Sequence, residues 1–547
     1  MASLNIHRML PLATYAILAL AIVGPWLQPG YIFALDMVFT PHLRMPDTLT
    51  SSYMFHAVLH VLNFVAPSSV IQKLLLLCVF FLSGVGMHRL VQIVSPHRMG
   101  AYFGGVLYAV NPFTYDRLMT GQYSVLLGYA LLPFFVRSLL VFLQKPQFRQ
   151  GVIIAIWVTV ISVVSVHTLG SIVIISIVAA ALWLAKNRRN KPWKGLFWKW
   201  SVVSIGAFLL LNCYWFLPLL AGKGSTAKQI ASFTSGDTAS FATIGGSFAG
   251  KLLQVLSLRG FWAEDRDIYL QPSQQIGTWG LLLLLIWLLV VIGLISLWHQ
   301  RQRAITAFFA IIVLAGCILA VGYGWMQHVP ILAGFREPQK FAGLIALGFA
   351  VLGSEGIANV MRFIKNEFDS TVGMIAAGSL ALLLPIIVTS TIFWGARSQL
   401  AARSYPAAWT TVNAQLNADN EHFNTLFLPW HLYMRFGFAD RVITSPAPQF
   451  FDKPVIVSDQ PELGDVAAVH PTQTTQQLDR LLQHADSISN FASQLANLHI
   501  KYIILDKEED YQKYNYLQHM SGLRQVAHHD TLTVYLNEQF GGKDETR

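Results

Sequence analysis

Long apolar runs recur along this chain, and short polar segments separate them. Eleven runs are near the length of about 20 residues that crosses a bilayer core. They fall at roughly 10–29, 70–94, 101–119, 121–143, 150–168, 170–186, 197–220, 277–298, 304–323, 341–361 and 371–394. The first is too long for a cleaved leader, and Gly24-Pro25-Trp26 is a poor cleavage region, so it reads as an uncleaved span. Two loops are long, 30–69 and 221–276. The first ends in a helix expected to lie on the membrane surface, from about Asp47 to Val65. The second holds a short apolar helix near Phe248–Leu258 and the acids Glu264, Asp265 and Asp267.

Beyond residue 396 the pattern changes to that of a water-soluble α+β unit. Thr425–Trp430 and Tyr502–Asp506 read as buried strands, and Arg524–His528 with Thr531–Asn537 as a hairpin about His529-Asp530. Gln476–Leu498 and Glu508–Met520 read as helices. The expected fold is a polytopic α-helical membrane protein of about 11 transmembrane helices. Residues 1–395 form the membrane part, and 396–547 a small C-terminal extracytoplasmic α+β domain.

Charge supplies the orientation. Of the 547 residues only 12% are charged, against roughly a quarter in soluble proteins. The net charge of +10 does not point to nucleic acid, because the cations sit in alternate loops. These are Arg89 with Arg98, Lys145 with Arg149, the cluster Lys186, Arg188, Arg189, Lys191 and Lys194, Arg301 with Arg303, and Arg362 with Lys365. By the positive-inside rule they mark the cytoplasmic face. The N-terminus is then cytoplasmic, and after eleven crossings the C-terminal domain is extracytoplasmic, at the plasma membrane. The three cysteines, Cys78, Cys213 and Cys317, all lie in spans, so the outer domain has no disulfide, and no metal-cluster spacing is evident.

The groups able to do chemistry collect on the outer side. Asp36 follows the first span within Phe33-Ala34-Leu35-Asp36-Met37-Val38-Phe39. It reads either as an exposed loop acid or as a general base whose pKa its surroundings would tune. A tight outer turn between the third and fourth spans carries Asp116, Arg117, Gly121 and Gln122. Just before it, Pro112 should kink the third helix, and Asn111 is a candidate partner for the freed carbonyls. Arg117 reads as a cation reaching the interface or as half of a structural Asp116–Arg117 turn. In Phe335-Arg336-Glu337-Pro338-Gln339-Lys340-Phe341, two cations flank a carboxylate. A lipid phosphate is the expected ligand, and interfacial anchoring is the alternative. His167, Asn212 and Tyr214 lie at outer span ends and are more often packing residues. His56 and His60 share a helix face but lack a third metal ligand. Glu355 and Arg137 fall toward inner ends and read as locally paired or snorkelling.

Three stretches carry a resemblance: Tyr108-Ala109-Val110-Asn111-Pro112-Phe113 on through Arg117, Gly121-Gln122 and Tyr129-Ala130-Leu131-Leu132-Pro133; Phe335 to Phe341; and Leu498 to Asp506 with the closing hairpin. Here the chain resembles the GT-C class of integral-membrane glycosyltransferases. It is most similar to bacterial arabinofuranosyltransferase-like proteins and to membrane proteins that glycosylate lipoteichoic acid. The resemblance implies transfer of a sugar, hexosyl or pentosyl, from a polyprenyl-phosphate-linked donor to a cell-envelope glycan or glycolipid on the outer face. It implies inversion if the reaction is a single displacement. It maps the catalytic base onto Asp36. Donor phosphate is expected at Arg117, Arg336 and Lys340, supported by Asn111, Asp116, Gln122, His167 and Glu337. Metal-dependent members carry an Asp-x-Asp pair in the first loop. This chain has no clear one, so no metal ligand is assigned and a divalent metal stays open as cofactor. Expected partners are the lipid-linked donor, the acceptor and membrane lipids, not nucleic acid. A flippase for lipid-linked saccharides and a non-catalytic assembly scaffold are the rival readings.

Overall fold

A computed structural model describes residues 2–223, 239–322, 334–461, 472–485, 488 and 490–541. Among these residues nine helices are long and apolar enough to cross a membrane: Met9–Leu27, Ser68–Val94, Tyr123–Gln144, Val166–Lys186, Lys191–Leu211, Trp279–His299, Arg303–Val321, Pro338–Phe368 and Thr371–Val388. Two of the eleven expected runs differ. The run at 150–168 is the helix Phe148–Val164, of 17 residues. The run at 101–119 is not one helix. It breaks into Arg98–Ala109 and Pro112–Met119, with Asn111 extended between them (φ −156°, ψ 166°). Pro112 has no N–H to continue the first helix and instead starts the second. Both pieces are buried in protein, so their apolar side chains serve packing rather than lipid contact.

The helix Ala342–Phe368 is the axis of the membrane part, with every residue from Ala342 to Ala358 buried. It packs on Trp279–His299, Arg98–Ala109 and Arg303–Val321. Small residues make this possible. A Cβ on Gly293 would lie 1.8 Å from Leu352 O, and one on Gly356 would lie 1.9 Å from Leu289 O. The Arg336–Lys340 segment therefore sits at the N-terminal end of the most enclosed of the described membrane-crossing helices.

A five-stranded mixed sheet forms beyond residue 423. Its strands are β3 (Asn424–Leu428), β6 (Val455–Ile456), β7 (Ile500–Asp506), β8 (Leu523–His528) and β9 (Leu532–Asn537), in the order β6-β3-β7-β9-β8. Strand β3 runs parallel to β6 and β7, and β9 runs antiparallel to β7 and β8. Alternation along the strands feeds two cores. Phe427, Ile504 and Val534 pack with Trp409 on one face, while Leu426, Leu428, Ile503 and Leu505 pack with Leu478, Leu481 and Leu495 on the other. The run expected as one helix, Gln476–Leu498, contains two, Gln473–Gln483 and Phe491–Asn497. Tyr511–His519 is a 3-10 helix rather than an α-helix.

The sheet region is joined to the first long loop at several points. Strand β1 (Tyr31–Ile32) pairs antiparallel with β2 (Ala402–Arg403). Phe33 enters the core around Trp409, edge-on to Tyr405 and Phe438 at 5.3 Å each. Tyr405 Oη donates to Phe39 O (3.0 Å), and Arg44 pairs with Asp452 (3.1 Å). A second two-stranded unit, β4 (Tyr433–Phe436) with β5 (Arg441–Thr444), projects toward the same loop. There Thr444 N donates to Leu35 O (2.8 Å).

Candidate active site

Asp36 occupies a tight turn between Ala34 and Met37, which form an isolated antiparallel bridge. Its backbone N–H donates to Thr120 O (3.1 Å), fixing the turn against the connection between Pro112–Met119 and Tyr123–Gln144. Gly121 makes that approach possible. Its φ is +75°, and a Cβ there would lie 2.4 Å from Met37 N. From the other side, Tyr433 Oη donates to Asp36 Oδ1 (2.8 Å). Elements about 400 residues apart in sequence thus set one carboxylate.

A cleft of about 460 Å³ opens beside this carboxylate. Asp36, Asp267, Glu337 and Asp440 line it, as do Arg266, Arg336, Arg435 and Arg441, together with Phe241, Trp262 and Tyr433. Asp36 is exposed to water in the cleft, yet protein surrounds it on nearly every side. Loss of solvation pushes its carboxyl up to about 6; the Tyr433 hydrogen bond opposes this, Glu337 adds to it, and Lys340 and Arg336 pull it back. Remaining water softens the shift in the open cleft, and a ligand that expels that water brings it out in full.

The second carboxylate behaves oppositely. Arg117 Nη1 donates to Glu337 Oε2 (2.8 Å) and to Gln122 Oε1 (2.9 Å). Gln122 Nε2 donates to both Glu337 oxygens (3.2 and 3.1 Å), and Lys340 Nζ lies 3.5 Å from Oε2. Burial alone would raise the Glu337 carboxyl; Lys340, Arg117 and Gln122 outweigh it and hold it down at about 2. Two neighbouring acids are thereby separated, one able to exchange a proton near neutral pH and one permanently charged.

The expected phosphate ligands are not equivalent. Arg336 lines the cleft, its guanidinium 4.2 Å from the Phe241 ring centroid. Arg117 is 1% exposed, lies over the Phe261 ring at 3.9 Å and does not line the cleft. Its Nη1 hydrogen bonds go to Glu337 and Gln122. Lys340 lines a small cavity with His167 and Tyr129.

The supporting residues divide similarly. Asn111 Nδ2 donates to Leu107 O and Tyr108 O (2.9 Å each), capping the carbonyls that the helix break frees. Asp116 is buried and accepts from Tyr269 Oη (3.0 Å), which ties it to the second long loop rather than to the cleft. His167 meets Phe335 edge-on at 5.6 Å. Asn212 accepts from Ser162 Oγ (3.0 Å), and Tyr214 Oη donates to Ser51 O (2.9 Å). His56 Nδ1 bonds Ser52 O (2.9 Å), on a helix, Tyr53–Asn63, whose Met54, Val58, Val61 and Leu62 are exposed. Glu355 is paired with Arg362 and Gln300, whereas Arg137 is exposed. Among the described residues no three His, Cys, Asp or Glu side chains are placed to hold a metal ion. The sequence reading missed Tyr433 and Arg441. No local sequence signal marked them, because strands as short as Tyr433–Phe436 carry too little periodicity.

The architecture recurs in solved structures. A cryo-EM structure of arabinofuranosyltransferase AftD from Mycobacteria aligns over 97% of this chain and 40% of that one, with TM-score 0.66 and 15% identity. A structure of a mutant AftD aligns over 96% and 41%, with TM-score 0.64 and 14% identity. The chain thus spans about two-fifths of the length of these proteins. No curated protein matches. Fold and family model together show a GT-C-class, arabinofuranosyltransferase-like membrane protein. The family model described as alpha-(1->3)-arabinofuranosyltransferase, N-terminal GT-C domain, matches residues 51–545, and the chain belongs to that GT-C_AftD family.

Proposed function

We propose that this chain is a membrane pentosyltransferase that moves an arabinofuranosyl-type sugar from a polyprenyl-phosphate donor to a cell-envelope glycan or glycolipid. The observation that carries this reading is the cleft itself, where a proton-exchanging Asp36 and the cation Arg336 line one space beside the membrane helices. The lipid tail lies among the helices and the sugar phosphate lies in the cleft. Asp36 accepts the proton of the acceptor hydroxyl. That oxygen bonds to the anomeric carbon as the bond to the phosphate oxygen breaks. Polyprenyl phosphate leaves, its growing charge offset by Arg336 in the cleft and by Lys340 and Arg117 behind it. Glu337 keeps those cations in place and takes no proton. A single displacement of this kind inverts the anomeric centre.

The basic loops support an extracytoplasmic cleft, with the N-terminus cytoplasmic and the sheet region outside. The test uses purified full chain in lipid nanodiscs, a polyprenyl-phosphate arabinofuranose and an envelope glycan acceptor. Asp36→Asn is expected to lower transfer by roughly 10²- to 10⁴-fold, the usual contribution of a general base. Unchanged transfer in that variant removes Asp36 from the role. In proteoliposomes, movement of the lipid between leaflets without transfer would favour the flippase reading.

A further inference from the structure

The four arginines of the cleft are not equally engaged. Arg435 pairs with Asp440 (2.9 Å), Arg266 lies 5.9 Å from the Trp262 ring centroid, and Arg336 lies 4.2 Å from that of Phe241. Arg441 lines the same space, and its Nε and Nη1 are buried with no hydrogen-bond partner among the described residues. Arg441 itself is only partly buried, so its guanidinium meets the cleft, and enclosed donors left unused are unfavourable unless something completes their bonding. The side chain is also well placed by its backbone. Arg441 pairs with Phe436 across the β4–β5 hairpin, the hairpin's Tyr433 bonds Asp36, and Thr444 N bonds Leu35 O. One short hairpin therefore fixes Arg441 relative to the carboxylate that does the chemistry.

We infer that Arg441 is a phosphate-binding residue of the donor site, gripping the anionic headgroup from the sheet side while Arg336 holds it from the membrane side. This rests on the cleft being the donor site. A guanidinium presents a planar fork of donors that matches two phosphate oxygens. A neutral sugar hydroxyl would satisfy its hydrogen bonds but add nothing to the partial charge compensation from Asp440, which Arg435 shares, whereas the headgroup does both. Arg441 thus fills the place that the enclosed Arg117 cannot. The consequence is that neither the helices nor the sheet region makes the phosphate site alone, because each supplies one arginine.

The test measures binding of polyprenyl monophosphate to the full chain in nanodiscs, apart from any sugar transfer. Arg441→Gln is expected to weaken binding by roughly tenfold to a hundredfold, the loss of charge-assisted hydrogen bonding. Arg441→Lys should recover part of it, since charge returns without the fork. Arg524→Gln, which removes the pair between Arg524 on β8 and Glu538 just after β9, should change nothing. Neutral polyprenol should bind Arg441→Gln and the wild type alike. Undiminished monophosphate binding in Arg441→Gln overturns the inference, as does an equal loss of polyprenol binding. Inorganic phosphate binding as tightly as the lipid would assign Arg441 to a free anion and also overturn it. A wild type that binds the lipid through Arg441 yet transfers no sugar would uphold the inference while removing the transferase reading.

Discussion

Two buried glutamates mark two levels of the central helix. Glu337 stands just before its N-terminal end, bound by Arg117, Gln122 and Lys340. Glu355 lies about 20 Å further along, at a rise of 1.5 Å per residue from Ala342. It accepts from Ser296 Oγ (3.0 Å) and Gln300 Nε2 (2.7 Å) and pairs with Arg362. Both are acids sheltered among apolar helices and joined to an arginine. The first lines the cleft, where a second carboxylate, Asp36, has no cationic salt-bridge partner among the described residues. Charge pairing inside a helical bundle therefore does not by itself identify a site. The site is where pairing is incomplete and a cavity lets a ligand complete it.

Four substitutions probe that contrast, in order of expected effect. Glu337→Gln leaves two enclosed cations without a counter-charge, and the loss should be about 3–5 kcal/mol, read as a fall in unfolding midpoint in detergent. Gly121→Ala comes next. A positive φ and a contact with Met37 N both oppose the new methyl, so about 1–3 kcal/mol is expected, with transfer falling as the Asp36 turn shifts. Tyr433→Phe should leave stability nearly intact and change the pH profile. In the role proposed for it, Asp36 would accept a proton only when ionised, so the rate should rise with pH through the region near 6 and then level off. The Tyr433 hydrogen bond favours the ionised form, so its removal should move that rising limb to higher pH. Glu355→Gln should matter least, at about 1 kcal/mol or less, because Arg362 is half exposed and hydrates itself. A loss at Glu355 equal to that at Glu337 would erase the distinction.

Hydropathy located most membrane helices, and Pro112 marked the break in the third run. It could not show that both halves of that run are enclosed by protein, because an apolar side chain scores alike against lipid and against another helix. The strands β3, β7, β8 and β9 were legible within two residues through their alternation and their turn formers. The β4–β5 hairpin was not, since four-residue strands are too short for periodicity to separate from loop. Half of the candidate site shared that fate. Asp36 and the Arg336–Lys340 segment stood out as charges in apolar surroundings. Tyr433 and Arg441 owe their place to pairing with a loop some 400 residues earlier, which no local pattern encodes. The enclosure of Arg117 was not legible for a related reason: it depends on Phe261 and Glu337, both remote in sequence.

The most direct measurement is a cryo-EM structure of the full chain with a non-hydrolysable polyprenyl-phosphate sugar. The account predicts the phosphate between Arg336 and Arg441, the sugar within reach of Asp36, and Glu337 still bound to Arg117. A headgroup seated near Glu355, or one in the cleft with its sugar turned away from Asp36, would contradict it.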